Sequence, residues 1–268
     1  MNAVSWINFV RQYGPGARTD SMYDETIQRS VRRTGIEPFL FEHPAQGQLL
    51  SCFDRNTTAG PFSIILTGTA GDGKTHLCRQ VWNRLGGDRG AWASNNPYLS
   101  LKYSYPKIRG GQSESDDVTS SQDVTIHIIR DLSAWAPQQS LPWESSKELL
   151  LQKLCRSLFD NEAEDIFLVA ANDGQLIESW RRLADTEHVV RARKLFEDLL
   201  VDDRQELEGV RLRMFNLSRW NSADLFEPIR RLLNTLVGKA VTKALREERK
   251  PLVQGVRSGI TLSYSKHP

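Results

Sequence analysis

The residues best suited to chemistry lie in one short loop of the sequence. Residues 68–75 read Gly-Thr-Ala-Gly-Asp-Gly-Lys-Thr and match the pattern G-x-x-x-x-G-K-[ST] at every defined position. Glycines let backbone N–H groups turn inward around an anion without a side chain in the way. The pattern therefore predicts a loop that binds nucleotide phosphates, with Lys74 on the β- and γ-phosphates and the Thr75 hydroxyl in the shell of a Mg²⁺ ion. The residues expected to contact the nucleotide are Gly68, Thr69, Ala70, Gly71, Asp72, Gly73, Lys74, Thr75 and His76.

The segments on either side of this loop support the same interpretation. Residues 62–67 form a short apolar, partly β-branched run with the length of a buried strand. Residues 76–85 follow with a helical pattern, which Gly86 and Gly87 end. A strand, a loop and a helix in this order favour phosphate binding, because the helix N-terminus adds its dipole to the site.

A second predicted strand ends in an acid. Residues 124–131 are a β-branched run that closes with Asp131. A phosphate loop of this kind works with a carboxylate on another strand that holds Mg²⁺. We expect Asp131 to do so through water, opposite Thr75. The alternative is that Asp131 caps a helix or turn that follows the strand.

Three further strands complete the predicted sheet. Residues 166–171 are apolar and run into Asn-Asp-Gly at 172–174, which is also a plain turn signal. Residues 210–217 partly alternate between charged and apolar side chains, which suits a strand with one exposed face. Residues 98–105 are the remaining strand candidate.

Strands that alternate with helices predict an α/β fold, with a mostly parallel five-stranded sheet covered by helices on both faces. Residues 106–122 contain few apolar side chains and are predicted to form a surface loop. Further helices are predicted over 145–159, 173–184, 188–201 and 225–245. The expected domains are an N-terminal helical or linker segment (1–58), a phosphate-binding core (59–220) and a C-terminal helical segment (221–268) that serves as a partial lid or docks a partner.

Composition narrows the class of protein. The 268 residues include 35 Lys+Arg and 33 Asp+Glu, and the net charge of +2 predicts neither a nucleic-acid nor a membrane partner from charge alone. No apolar stretch approaches the ~20 residues that span a bilayer, and the N-terminus does not resemble a signal peptide. The 3 cysteines are far apart, which argues against a disulfide framework or a cysteine-rich zinc site. We therefore expect a globular, cytoplasmic protein.

The motifs together resemble a known family. The loop, the strand ending at Asp131 and the strand ending in Asn172 are similar to those of P-loop NTPases of the additional-strand, AAA+/STAND type, over residues 60–220. This resemblance implies ATP and Mg²⁺ as cofactors and Lys74, Asp131 and Asn172 as catalytic residues, with Asn172 orienting water near the γ-phosphate. The run 66–76 is similar to ATPases of bacterial restriction and anti-phage defence systems. That likeness implies other protein subunits as partners, and nucleic acid reached through a partner.

The sequence departs from this family where the catalytic acid is expected. Most members have a glutamate directly after the aspartate of the second strand, where it activates water, but Leu132 stands there. Arg130 precedes the aspartate, where an apolar residue is usual. Glu144 or Glu148 could supply the acid from the next loop and helix. The arginines that could reach a phosphate, from this or a neighbouring subunit, are Arg204, Arg211, Arg213 and Arg219.

Two functions from different classes fit these observations. The first is an ATP-binding, ATP-hydrolysing switch or motor in a multi-protein assembly, with DNA-directed defence as the role that the resemblance implies. The second is a nucleotide-stabilised scaffold with little or no turnover, which Leu132 favours. A nucleotide kinase would need an arginine-rich lid, and residues 107–111 supply a poor one. Adenine is favoured over guanine, because the sequence has no Asn/Thr-Lys-x-Asp motif that reads guanine.

Overall fold

The elements that hold the loop are seen in a computed structural model of the chain. The structure describes residues 42–54, 62–94, 96–107, 120–138 and 141–219, together with residues 230 and 234. The chain divides into two units, and every strand and helix named below belongs to the first. Most of the predicted segments 1–58 and 221–268 lies outside the described residues, although Arg230 and Asn234 are both helical.

One five-stranded sheet forms the centre of the first unit. Its strands are β1 (Ser63–Thr67), β2 (Tyr98–Lys107), β3 (Ser120–Ile129), β4 (Asp165–Ala170) and β5 (Leu212–Asn216). Their order across the sheet is β2-β3-β4-β1-β5. The strands β3, β4, β1 and β5 are parallel, and only β2, at one edge, is antiparallel to its neighbour. The predicted mostly parallel five-stranded sheet is confirmed.

Helices lie in the connections from β1 to β2, from β3 to β4 and from β4 to β5. The helices of the described chain are α1 (Ala45–Ser51), α2 (Lys74–Arg84), α3 (Arg89–Ala93), α4 (Leu132–Trp135), α5 (Ser145–Ser157), α6 (Asp173–Arg181) and α7 (Glu187–Asp202), and a 3₁₀ helix, Leu217–Arg219, follows β5. The predictions for α2, α5, α6 and α7 are confirmed to within a few residues at each end. The short helices α1, α3 and α4 are not predicted by the sequence pattern.

Side chains of β1 alternate between two apolar layers. Ile64 and Leu66 pack on one face of the sheet, with residues of α1, α2 and α3. Ile65 packs on the other face, with residues of α5, α6 and α7. All five residues of β1 are buried, as expected for a strand in the middle of a parallel sheet covered on both sides. The prediction of helices on both faces is thereby confirmed.

The predicted surface loop over 106–122 is too long. The strand β2 continues to Lys107 and β3 begins at Ser120, so that Pro106 pairs with Ser121 in an antiparallel ladder. Backbone pairing needs no apolar side chain, and an edge strand tolerates the proline and the polar residues that made this segment look like a loop. Residues 108–119 lie outside the described part of the chain.

Parallel register brings three strand ends together at one edge of the sheet. Leu66 of β1 pairs with Ala170 of β4, and Thr67 pairs with Asn216 of β5. The residues that follow these strands therefore meet at one place, where the predicted phosphate loop begins. Within the described residues, no helix is both long enough and apolar enough to cross a membrane.

Candidate functional site

The predicted phosphate loop connects the carboxyl end of β1 to the first residue of α2. Gly73 is the N-cap of α2 and has a φ of 85°, where a residue with a Cβ would be strained. Gly68, the first loop residue, has a φ of 129°, and a Cβ on it would lie 2.5 Å from Asp72 Oδ2. Both glycines of the pattern are thus required by the backbone. The N-terminus of α2 directs its backbone N–H groups into the loop.

Lys74 folds back over the loop. Its Nζ donates hydrogen bonds to the carbonyl oxygens of the first two loop residues, at 2.8 and 2.6 Å. Partial burial lowers the pKa of Lys74, whereas the charges of Asp72, Asp173 and Asp131 act to raise that pKa. The ammonium group therefore feels the charge of three carboxylates, and its hydrogen bonds hold it against the backbone of the loop.

The end of β3 lies beside the start of α2. Thr75 Oγ1 donates a hydrogen bond to the carbonyl oxygen of Arg130, with 3.4 Å between the two oxygens. Asp131 is the next residue along the chain. The structure therefore brings together the two residues predicted to hold Mg²⁺, one from the phosphate loop and one from the end of β3.

Asp131 is the N-cap of α4. Its Oδ1 accepts hydrogen bonds from the backbone nitrogens of Ser133 and Ala134, at 2.9 and 3.3 Å, and from Ser133 Oγ at 2.6 Å. The helix cap that the sequence left open as an alternative is therefore present. All three bonds use Oδ1, and they hold the carboxylate in one orientation at the end of β3.

Arg130 belongs to the core. Its side chain is almost fully buried, and its guanidinium lies 4.8 Å from the ring centroid of Trp92. The Nη1 donates to the carbonyl oxygen of Trp92 at 2.7 Å, and Nη2 donates to that of Ser94. Arg130 thus fastens α3 to the end of β3, which explains why this charged residue lies in the core.

The end of β4 presents two polar residues in different directions. Asn172 is the N-cap residue of α6, but its side chain makes no cap hydrogen bond and is exposed. The Asp173 carboxylate instead reaches the phosphate loop, where Oδ1 accepts a hydrogen bond from the Gly68 N–H at 3.1 Å. The sequence pattern singled out Asn172 and predicted Asp173 only as the first residue of a helix or as part of a turn signal. The only signal for Asp173 in the sequence is its place after an apolar strand.

The end of β5 contributes Ser218, which sequence reasoning missed. Ser218 Oγ donates to Asp72 Oδ2 at 2.5 Å and accepts a hydrogen bond from the Thr69 N–H at 2.8 Å. Asp72 Oδ2 also accepts from the Thr69 N–H at 2.6 Å. A carboxylate and a hydroxyl therefore share one backbone N–H of the phosphate loop. The two partners are 146 residues apart in the sequence, so no local pattern indicates the contact.

Two histidines, His43 before α1 and His76 in the first turn of α2, interact electrostatically with each other. His43 Nδ1 accepts a hydrogen bond from the Ala45 N–H at 3.1 Å. In α2, the distance between His76 Nε2 and Gln80 Nε2 is also 3.1 Å. Burial lowers the pKa of His43, the charge of Asp72 acts to raise it, and His76 acts to lower it. His43 thus lies close enough to the loop to feel the charge of Asp72, and the side chain of His76 contacts Gln80 of the same helix.

The glutamates and arginines predicted as further catalytic candidates form hydrogen bonds and ion pairs outside the phosphate loop. Glu148 Oε1 accepts from the backbone of Ala184 at 3.0 Å, and Glu144 accepts from Ser146 Oγ at 2.8 Å. Arg219 forms an ion pair of 3.1 Å with Asp203 at the end of α7. Similar pairs are Arg204 with Asp202 and Arg213 with Glu206, and Arg211 donates to the carbonyl oxygens of Asp160 and Ala163.

Comparison of the chain with family models, curated proteins and solved structures gave no match. Among the described residues, no group of three or more His, Cys, Asp and Glu side chains is arranged around a common point that could hold a metal ion. The chemistry of the site therefore has to be argued from the residues that meet at the strand ends. They are one lysine, three carboxylates, two hydroxyls and a row of backbone N–H groups.

Proposed function

We propose that the chain binds ATP with Mg²⁺ at the loop 68–75 and hydrolyses the ATP. The observation that carries this proposal is the placement of Lys74. Its ammonium lies against the loop carbonyls at 2.6 and 2.8 Å, above the N-terminus of α2. A lysine and a helix N-terminus directed at one point attract and orient phosphate oxygens. The likeness of the loop sequence to that of P-loop NTPases supports the same ligand.

The residues beside Lys74 suit a magnesium ion that is held mostly by phosphate and water. Mg²⁺ in nucleotide sites takes one or two protein ligands and keeps several waters. The Thr75 hydroxyl can ligate directly, and the Asp131 Oδ2 can accept from a magnesium-bound water while Oδ1 keeps its bonds to α4. When bound, the ion neutralises charge that develops on the β- and γ-phosphate oxygens.

The strand order gives independent support. In P-loop NTPases of the additional-strand type, an extra strand separates the strand before the phosphate loop from the strand with the magnesium-binding aspartate. Here β4 lies between β1 and β3. The antiparallel β2 lies at the far edge of the sheet, beyond β3, and does not alter this central order.

For the hydrolytic step, we assign the role of general base to Asp173, because its carboxylate accepts a hydrogen bond from the Gly68 N–H at the start of the phosphate loop. Leu132 is fully buried and apolar, and both Glu144 and Glu148 are bound elsewhere. In the proposed step a water oxygen forms a bond to the γ-phosphorus, and the bond from phosphorus to the bridging oxygen of ADP breaks. The proton of the water passes to Asp173 and then to solvent, leaving ADP and phosphate. Asn172 keeps its predicted role of orienting that water.

The proposal is tested with purified protein and Mg-ATP. We expect fluorescent-ATP binding and steady-state phosphate release in the wild type, loss of binding in Lys74→Ala, and loss of turnover in Asp131→Ala. Lys194→Ala, which removes an exposed lysine of α7, is the matched control and should leave both unchanged. No binding in the wild type, or binding that survives Lys74→Ala, would refute the proposal.

A scaffold that binds ATP without turning it over is the second candidate. The observation that favours it is the buried Leu132, which leaves the usual position of the catalytic glutamate without a carboxylate. It predicts nucleotide binding that depends on Lys74, with no phosphate release above background. The same two measurements therefore separate the two candidates.

The wider role rests on the likeness of residues 66–76 to ATPases of restriction and anti-phage defence systems. From it we propose a cytoplasmic protein that acts with other protein subunits, one of which brings it to nucleic acid. A nucleotide-gated switch of this kind would change its association with those subunits when ATP binds. Sedimentation of the purified chain with and without Mg-ATP tests whether its own copies are such partners.

A further inference from the structure

Four polar side chains form a network across β2, β3 and β4, on the face of the sheet that packs with α5, α6 and α7. Tyr98 Oη lies 2.8 Å from His127 Nδ1, and His127 Nε2 lies 2.8 Å from Asp165 Oδ1. Lys153 Nζ, on α5, lies 2.8 Å from the same Asp165 oxygen. We call these four residues the histidine network. It ties three strands to one helix.

His127 is the buried centre of this network. Its side chain is 8% exposed, and its ring stacks on that of Phe167 with 4.6 Å between the ring centroids. A carboxylate only accepts hydrogen bonds, so the contact with Asp165 requires a proton on His127 Nε2. In the neutral ring Nδ1 is then an acceptor, and the Tyr98 hydroxyl donates to it. Both ring nitrogens of a neutral His127 are therefore hydrogen-bonded.

A second ring proton would disturb the network at two atoms. His127 Nδ1 would become a donor and could no longer accept from the Tyr98 hydroxyl. Asp165 Oδ1 would then contact two cations, because Lys153 already lies against it. Burial lowers the pKa of His127 and the charge of Lys153 acts in the same direction, whereas the hydrogen bond and the charge of Asp165 act to raise that pKa. The folded network therefore favours the neutral imidazole.

The other charged residues on this side of β2, β3 and α5 are exposed or bound to neighbours. Lys102 and Asp123 lie on the same face of the sheet, at register positions nearer to the amino end of β3, and both are exposed. Lys147 of α5 donates to the carbonyl oxygen of Trp135 at 3.2 Å, and its ammonium lies over the ring of that residue. In the described chain, the charges that act on the imidazole are those of the network itself.

We propose that the histidine network fastens the edge strand β2 to the sheet while His127 is neutral, and loosens β2 when His127 takes up a proton. The inference does not depend on the proposed nucleotide binding. In the described chain β2 has β3 as its one strand neighbour, whereas β1 is paired on both sides. Loss of the hydrogen bond from Tyr98 therefore loosens an edge strand and leaves β1 in place.

The pH range of this effect follows from the direction of the pKa shift. When β2 opens, the imidazole meets water and its pKa returns to the ordinary value of 6.5, which is higher than in the folded network. Opening therefore becomes easier as the pH falls below 6.5, until the pKa of the folded network is reached. One proton taken up on opening changes the opening equilibrium by at most about tenfold per pH unit.

Hydrogen exchange of the purified chain at about pH 7.5 and about pH 5.5, corrected for the chemical exchange rate, tests the proposal. In the wild type we expect the protection of the β2 amides to fall by up to about tenfold relative to that of the β1 amides. His127→Gln keeps a hydrogen-bonding side chain that does not titrate, so this relative fall should vanish. Nitrogen NMR of the histidine rings at the higher pH should show the His127 proton on Nε2.

Two further variants keep His127 and change its surroundings. Lys153→Met removes a cation that lowers the pKa of His127, so the relative fall in β2 protection should shrink. Tyr98→Phe removes the donor to the neutral ring and should act in the same direction. Lys194→Met makes the same exchange as Lys153→Met at an exposed lysine of α7, and as the matched control it should keep the fall of the wild type.

The β1 amides separate local loosening from acid unfolding of the whole unit. An equal loss of protection in β1 and β2, or no loss in either strand, would overturn the proposal. A fall in His127→Gln as large as in the wild type would also overturn it, as would a His127 proton on Nδ1. If His127→Gln does not fold, Lys153→Met decides, because a fall there that matches Lys194→Met would remove the network from the titration.

Discussion

The ends of β3 and β4 look alike in sequence and differ in structure. Both strands end at the same edge of the sheet, and each is followed by an aspartate at the start of a short helix. At the end of β3, Asp131 turns back to its own helix and Arg130 is buried against α3. At the end of β4, Asp173 crosses to the phosphate loop and binds the Gly68 N–H.

A difference of one position in the helix explains this. Asp131 is the N-cap of α4, and a cap side chain accepts from the second and third N–H groups of its own helix. Asp173 is the first residue inside α6, where the cap position belongs to Asn172. Its carboxylate is therefore directed to a neighbouring strand rather than to its own helix. At the end of β3 one carboxylate oxygen of Asp131 is taken by the helix cap, whereas at the end of β4 the carboxylate of Asp173 is bound to the phosphate loop.

The largest effect is expected on the rate of ATP turnover, from a substitution at the end of β4 that tests this contrast. Asp173→Asn should lower the kcat for ATP hydrolysis at least about a hundredfold, the range of a lost general base. The KM should change little, because the amide keeps the shape of the side chain. Steady-state phosphate release measures both constants. An unchanged kcat would remove Asp173 from the reaction and break the comparison.

The next effect is on stability at the end of β3. Arg130→Met should lower the free energy of unfolding by about 3 kcal/mol, because it leaves the carbonyl oxygen of Trp92 buried without its donor and also removes the bond to the carbonyl of Ser94. Urea denaturation measures the loss. Arg89→Met replaces an exposed arginine of α3, and we expect a change below about 0.5 kcal/mol for it. Equal losses in the two variants would refute the structural role of Arg130.

A smaller effect separates the two roles assigned to Asp131. Asp131→Ala removes the cap of α4 and should cost about 1 kcal/mol of unfolding free energy. Asn caps a helix as well as Asp does, so Asp131→Asn should retain that stability. It should still raise the Mg²⁺ concentration needed for half-maximal phosphate release, because the charge is lost. If Asp131→Asn needs no more Mg²⁺ than the wild type, Asp131 is a cap alone.

The smallest effect is expected at Asn172. Its side chain is exposed and makes no cap bond, so Asn172→Ala should change the unfolding free energy by less than about 0.5 kcal/mol. We also expect turnover to fall by less than about threefold, which is small beside the loss of a general acid or base. A fall of a hundredfold in phosphate release would return the leading role at this strand end to Asn172.

Much of this fold could be predicted, because long elements carry a periodic pattern. The strands of the sheet and the helices α2, α5, α6 and α7 are each long enough to show one. The helices α3 and α4, with 5 and 4 residues, are too short for a period. The prediction of a mostly parallel sheet left the direction of β2 open, although a signal for it existed. Parallel neighbours need a crossover of a dozen or more residues, usually a helix, and the segment after β2 has no helical pattern.

The phosphate loop and the strand-end aspartate were predictable for a different reason. The spacing of glycines within the loop follows from the backbone conformation that surrounds an anion, and this conformation depends only on neighbouring residues. Asp173 and Ser218 reach the loop only because β1, β4 and β5 are in parallel register. Contacts of 105 and 146 residues in sequence separation depend on that register, which no local pattern encodes.

The position of β1 also predicts how nucleotide binding changes the hydrogen-exchange rate of its backbone amides. β1 is paired on both sides and fully buried, so its amides should exchange only when the whole unit opens. The phosphate loop begins one residue after this strand. A ligand held there binds the native state alone and slows every exchange event that requires global opening, by a factor that grows with its concentration. Nucleotide would then protect β1, which it never touches, and the protection would report occupancy of the loop.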